Sequence, residues 1–244
     1  MAAGPDRAAR MRIRRDSEIF ETDGGWFHAR WHFSFDRYYD PENMSVGALR
    51  VFNHDTLRPG ATWPMHPHRD VEGVTYVPAG EFEHRDSLGN GGVLRAGGVQ
   101  RMTLGSGAYH SESNHSQTEP MQFIQMWIMP ARRGLPPSVE QRQYTEEDRR
   151  NRLLRILKPE GADGEGVTVH QDASVFVSRL EPGHAVAHEY GDRRAGYLYL
   201  ISGEAKVDGE TLSRGDAAKL YGPGRIEIRA ADTTELVLVD VPEL

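Results

Sequence analysis

The sequence predicts an all-β protein built from two copies of one β unit. Short apolar runs alternate with glycine-rich turns along most of the chain. One half repeats the outline of the other. Two pairs of ligand-type side chains stand at i, i+2, His66 with His68 and His110 with Glu112. That spacing puts both members of a pair on one face only if the backbone is a strand.

Composition narrows the class. The 244 residues suffice for one large β domain or two of ordinary size. A hydrophobic share of 38% with 26 glycines fits many short strands joined by tight turns. No run approaches the roughly 18 apolar residues that span a membrane, so no membrane partner is expected. The chain has no cysteine, which excludes a disulfide framework, a thiolate metal site and a cysteine nucleophile and fits the cytoplasm. A formal charge of −7 makes nucleic acid a poor partner, since such binding rests on phosphate neutralisation. The first stretch, MAAGPDRAARMRIRRDSE, carries five arginines between Arg7 and Arg15 and lacks the apolar segment of a secretory signal. It reads as a basic tail for an acidic partner or as a frayed or misassigned start with Met11 as the true beginning, and the usual disorder of termini favours the second.

In chain order, SVGALRVFN (45–53), GVTYVPAGEFEHRD (73–86) and MQFIQMWIMP (121–130) read as strands. SLGNGG (87–92) and TLGSGAYH (103–110) supply turns between them. The run from Pro130 to Pro137 closes a first domain over 12–137. SVEQRQY and the charged TEEDRRNR (145–152) are expected to form a solvated linker over 138–152, followed by a second domain over 153–244. LRPGATWPMHPHRDVEGVTYVPAGEFEHRD (57–86) lines up with LEPGHAVAHEYGDRRAGYLYLISGEAKVDG (180–209), and TLGSGAYHSE (103–112) with KLYGPGRIEI (219–228). The ligand residues are not repeated. His184 and His188 are four apart, about 13 Å on a strand and too far for one ion, and Glu227 stands for His110. One metal is therefore expected, in the first half, with the second half covering and stabilising it.

Two adjacent strands carrying the two pairs would aim three imidazoles and one carboxylate at a single point. That donor set suits a divalent transition metal with open positions; the competing reading is a set of satisfied core histidines. Pro67, between two of the ligands, donates no backbone hydrogen bond and implies an edge or unpaired position. Glu72 is i+4 from His68 and lies further along the strand than Glu112 does from His110. His84 reads as a group orienting a ligand or as a surface hairpin histidine. His115, five after His110, falls on the other strand face. His28, His32, His54 and His170 show no pairing. No nucleophile elbow, phosphate loop or dinucleotide fingerprint is present.

Gly60-x5-His66-x-His68-x3-Glu72 with Gly80, and Gly107-x2-His110-x3-Asn114, resemble the two motifs of the cupin superfamily. HPHRDVE, GEFEHRDSLGN, GSGAYHSE and QMWIMP, in that order, resemble the pirin family, from about Ile13 to the C-terminus. The resemblance is closest to short bacterial pirin-like quercetin 2,3-dioxygenases. It implies a bicupin, two double-stranded β-helix (jelly-roll) barrels packed together, with the metal in the first. It assigns His66, His68, His110 and Glu112 as ligands, and together with side-chain direction it favours Glu112 over Glu72. Fe(II) is the metal first expected; Mn, Co, Ni, Cu or Zn also suit the donors. The implied reaction is cleavage of a quercetin-like flavonol at the 2,3-bond by dioxygen, with release of carbon monoxide. Glu112 would be the catalytic base, with Glu72 in reserve. Met65, Phe123, Met126 and Trp127 would line an apolar slot, though such residues at strand spacing are more often plain core. The competing function is a metal- or redox-dependent regulatory binding protein of the same family, and a different small-molecule enzyme on the same scaffold is a third. Two packed barrels make a monomer sufficient.

Overall fold

The computed structural model describes residues 8–244. Strands dominate, and the helices among the described residues are single 3-10 turns at Asp16–Glu18 and Glu147–Arg149. Each half of the chain forms a barrel from a seven-stranded and a four-stranded sheet. The first barrel's large sheet runs, in spatial order, Ser138–Gln143, Gly98–Thr103, Glu72–Ala79, Met121–Ile128, Leu49–Leu57, Phe27–Trp31 and Phe20–Asp23. Its small sheet runs Thr62–His68, Ala108–Asn114, Glu81–Asp86 and Gly91–Arg95. The second barrel repeats this with Ala185–Tyr190, Gly224–Ala230, Glu204–Val207 and Glu210–Ser213 as its small sheet.

The repeat is visible in single residues. Gly80 and Gly203 both sit at φ +81 after the apolar strand of their copy. A Cβ at Gly80 would lie 2.7 Å from the Met121 Cα, and one at Gly203 2.5 Å from the Thr233 carbonyl. Both left-handed backbone and close approach require glycine at this corner.

Strand alternation then sorts each side chain. Along Met121–Ile128, Ile124, Met126 and Ile128 turn toward the second barrel, while Phe123, Gln125 and Trp127 turn inward. The outward set packs with Tyr76, Phe52, Tyr197, Tyr199, Val237 and Val239 in one buried cluster drawn from both large sheets. The barrels are thus joined face to face by their large sheets. The interior of the second barrel is filled by Leu198, Leu200, Ile226, Ile228, Leu236 and Leu238. The first barrel has a smaller inner cluster, around Leu57, Val77, Phe82 and Phe123, and the rest of its interior is open.

Two boundary expectations change. Residues 138–143, expected as linker, form an edge strand on Gly98–Thr103; the polar SVEQRQ has no alternation of burial to mark it as a strand. Arg10–Arg14, expected as a frayed start up to residue 11, form a strand that pairs with Ala217–Tyr221 and so completes the second barrel's large sheet. Arg14 is buried there and reaches the carbonyl of His32. The part of that expectation concerning residues 1–7 falls outside the described residues.

Polar groups also cross the seam, and the supposedly unpaired histidines are among them. His32 Nδ1 meets Tyr197 Oη at 2.8 Å. His54 accepts from Tyr199 Oη at 2.8 Å and donates from Nε2 to Gln122 Oε1 at 3.3 Å. Burial holds His54 down at about 4, below the usual 6.5, so it is neutral in the fold. A histidine with a depressed folded pKa favours the fold above its unfolded pKa and opposes it below. Stability should therefore fall from about pH 6.5 to about pH 4 by up to about 3 kcal/mol relative to a His54→Gln variant. Urea unfolding of both proteins across that range measures the difference, and parallel pH profiles would refute it.

Candidate metal centre and cavity

The two i, i+2 pairs lie on adjacent strands of the first barrel's small sheet. Thr62–His68 is the sheet's edge, as Pro67 requires, and pairs antiparallel with Ala108–Asn114. His110 stands opposite His66, and Ala108 opposite His68. Beyond that point the register shifts, so Glu112 faces Trp63. The bulge re-aims this end of the strand pair.

The three histidines converge. One ring nitrogen from each of His66, His68 and His110 lies within 4.8 Å of the others, with ring centroids 4.5 to 5.1 Å apart. His66 donates Nδ1–H to the Pro64 carbonyl at 2.7 Å, which leaves Nε2 with its lone pair. His110 is buried, and neither of its ring nitrogens has a protein partner. A buried imidazole is seldom left so. The unpartnered nitrogens, three convergent imidazoles and a carboxylate beside them fit a divalent metal. Burial, then the neighbouring histidines, hold His110 down at about 3; burial and then His66 hold His68 at about 4. Both rings are neutral near pH 7, as metal ligands must be.

Glu112 is buried beside the triad, its Oε1 4.0 Å from His110 Nδ1. Gln125 Nε2 donates to that oxygen at 2.8 Å, and Thr75 Oγ1 donates to Gln125 Oε1 at 2.9 Å. The amide is therefore fixed at both ends and orients the carboxylate. Burial raises the Glu112 carboxyl to about 7 against the lowering effect of the Gln125 bond.

Glu72 belongs elsewhere. It is fully buried on the opposite face of the large sheet, where it accepts from Thr103 Oγ1 at 2.9 Å and from His170 Nδ1 at 2.9 Å. It is a structural carboxylate of the seam, which corrects its reading as a reserve base. His84 is buried, not a surface residue. Its Nε2 donates to Asp86 Oδ2 at 2.9 Å, its Nδ1 accepts from Gln100 at 3.3 Å, and its ring lies 5.8 Å from that of His110. His115 is exposed and pairs with Glu83.

Among the described residues, the second barrel offers no equivalent triad. Ile226 stands opposite His188 as His110 stands opposite His66, so Ile226 replaces His110. Glu227 points outward to Arg229; it aligns with Ser111, which corrects its reading as the counterpart of His110. His188 is held by Asp240 at 2.7 Å.

The triad opens on a cavity of about 440 Å³ inside the first barrel. Its walls are mostly aromatic, with Trp26, Trp31, Phe35, Trp63, Phe123 and Trp127. The Trp127 ring lies 4.7 Å from His68. Phe123 and Trp127 line it as expected; Met65 and Met126 do not. Met65 is 51% exposed because it has the parity opposite to His66, and Met126 also has the wrong parity and packs in the seam. Sequence reasoning missed the cavity's polar residues. Asn53 and Asp55, two apart on Leu49–Leu57, both face in and are buried. Burial, then the charge of Glu112, raise the Asp55 carboxyl well above its usual range. Asn53 and Asp55 share the parity of Leu49, Val51 and Leu57, the apolar row of that strand, and this was the available signal.

Comparison with known proteins agrees with this architecture. Residues 12–128 match the family described as Pirin, and residues 156–241 the family described as the quercetinase C-terminal cupin domain. The chain is 36% identical over 231 residues to the quercetin 2,3-dioxygenase of Escherichia coli K12, covering 94% of this chain and 98% of that protein. It is 39% identical over 219 residues to a pirin-like protein of Caulobacter vibrioides, covering 90% and 94%. The crystal structure of the bacterial pirin YhhW from Escherichia coli in complex with nickel(II) superposes with a TM-score of 0.89 at 34% identity, covering 96% of this chain and all of the other.

Proposed function

This chain belongs to the pirin family, and from that premise we propose that it is a metal-dependent dioxygenase cleaving quercetin-like flavonols at the 2,3-bond. His66, His68, His110 and Glu112 would hold one divalent metal, Fe(II) first among those that suit the donors. The observation that carries the reading is the buried, unpartnered imidazole of His110, set among two further histidines at the wall of an aromatic cavity. The quercetin 2,3-dioxygenase name of a relative 36% identical over almost the whole chain supports the substrate class.

A bound metal supplies Lewis acidity and the redox chemistry that dioxygen needs. The chain's own residues do the rest. Trp31, Trp63 and Trp127 enclose a flat aromatic molecule and exclude water. The flavonol 3-hydroxyl would sit at the triad, within reach of Glu112. Glu112, where it loosens from the metal, would take the hydroxyl proton. Gln125, held by Thr75, keeps the carboxylate aimed at the histidines.

Paired variants test these roles. Glu112→Gln should lower the rate of quercetin consumption by about 10²-fold or more, the usual range for loss of a general base, and should weaken metal retention. Glu72→Gln should leave both near wild type and lower thermal stability instead. The reverse order would move the base to Glu72 and refute the assignment.

A further inference from the structure

Beyond the histidines, the cavity holds a second polar set with no partner. The buried Oδ1 atoms of Asn53 and Asp55 both lack a hydrogen-bond partner, although Asn53 is only 4% exposed and Asp55 6%. Leaving such atoms unpaired costs about 1–3 kcal/mol each, and both side chains line the aromatic cavity. Their placement follows from register. Val51 pairs with Trp127, Asn53 with Gln125 and Asp55 with Phe123, so the inner wall is three rows deep at about 7 Å per row. Trp127 touches His68, and Gln125 touches Glu112. Asp55 lies one row further on, beneath Phe123. On its other side, Trp31 stands opposite Asn53 and Ala29 opposite Asp55 in the neighbouring strand. Trp31 is thus the aromatic wall beside Asn53, while the small Ala29 leaves room beside Asp55.

We infer that Asn53 and Asp55 form a hydroxyl-recognition subsite that reads substrate hydroxyls other than the one at the triad. The ligand class is a polyhydroxylated aromatic, whose ring packs on the cavity's aromatic walls and whose ring hydroxyls donate to the two unpartnered oxygens. This rests on the flavonol reading above and adds where selectivity among flavonols arises. A purely aromatic pocket tolerates an added or missing hydroxyl, whereas a site built to bond one rejects the analogue that lacks it. Asn53 and Asp55 would bind the substrate, and no proton transfer is assigned to either.

The test is calorimetric binding under argon to the full chain reloaded with Zn(II), so that no turnover is needed. The probes are quercetin, the analogue lacking both B-ring hydroxyls, and the analogue lacking both A-ring hydroxyls. Wild type should bind quercetin more tightly than at least one analogue by about tenfold or more. In Asp55→Leu and in Asn53→Leu that ratio should fall to within about twofold. Asp55→Leu should also keep or raise the melting temperature, because it replaces an unpartnered buried polar group by an apolar one of similar size. A purely structural Asp55 would instead lower it. If Asp55→Leu does not fold, Asn53→Leu decides. An unchanged ratio in the folded variants, equal binding of all three probes by wild type, or no binding of any, overturns the inference. Discrimination lost in the variants, while wild type reloaded with Fe(II), Mn(II), Co(II), Ni(II) or Cu(II) fails to consume quercetin in air, would overturn the dioxygenase reading and leave the subsite standing.

Discussion

Replacing His110 by alanine is expected to abolish metal binding without unfolding the protein. The side chain brings no hydrogen bond to the fold, since both its nitrogens lack protein partners. Its removal takes one imidazole from a set of three and leaves His66 and His68 on an edge strand. Loss of an outer-shell partner alone costs roughly 10–100-fold in metal affinity, and loss of a ligand should exceed that. Metal content after dialysis against a weak chelator measures the first expectation and circular dichroism the second. A variant that keeps stoichiometric metal would remove His110 from the ligand set. A variant that unfolds would show it to be a core residue instead.

The second large effect is expected at the seam. Arg149, buried, bonds Tyr76 Oη at 2.7 Å and pairs with Glu235, which also accepts from Tyr76 Oη at 2.8 Å. Glu235→Ala would leave the Arg149 charge buried with only a phenol for company. Breaking one side of a buried pair typically costs about 3–5 kcal/mol, a large fraction of the stability of a domain. Glu235→Gln retains acceptors for both neighbours and should cost less. Urea midpoints of the two variants give the comparison. Equal, small losses would show that apolar packing alone joins the barrels.

The convergence of the three histidines was legible because a strand has a period of two. His66 with His68 and His110 with Glu112 needed only that rule and one antiparallel pairing to meet. The repeat was legible through Gly80 and Gly203, where the backbone admits no other residue. What stayed hidden depended on distant partners. Glu72 and His170 are 98 residues apart in sequence and 2.9 Å apart in space, and nothing local to either predicts the contact. His54 and Tyr199 are a similar case. Two expectations ran against parity itself. Met65 is the neighbour of His66 and so turns to the opposite face, where it is exposed, and Ile226, not Glu227, stands opposite His188 in the second barrel. Within the strand at Leu49–Leu57, Asn53 and Asp55 stand among three other polar residues, Arg50, His54 and Thr56. Only the cavity beside them gives their unpaired oxygens a use.

The same asymmetry explains why one barrel is proposed to carry the chemistry. Ile226 and Ile228 fill the second barrel where His110 and Glu112 border the open interior of the first. One copy became core and the other kept its hollow. The proposed function stands on that hollow and its ligands, and oxygen uptake tests it most directly. Protein stripped of metal would be reloaded separately with Fe(II), Mn(II), Co(II), Ni(II) or Cu(II) and supplied with quercetin in an oxygen electrode. The account predicts metal-dependent uptake of one dioxygen per quercetin consumed, absent from the stripped protein and from His110→Ala. No uptake with any fully loaded metal would contradict it and leave a metal-dependent binding protein in its place.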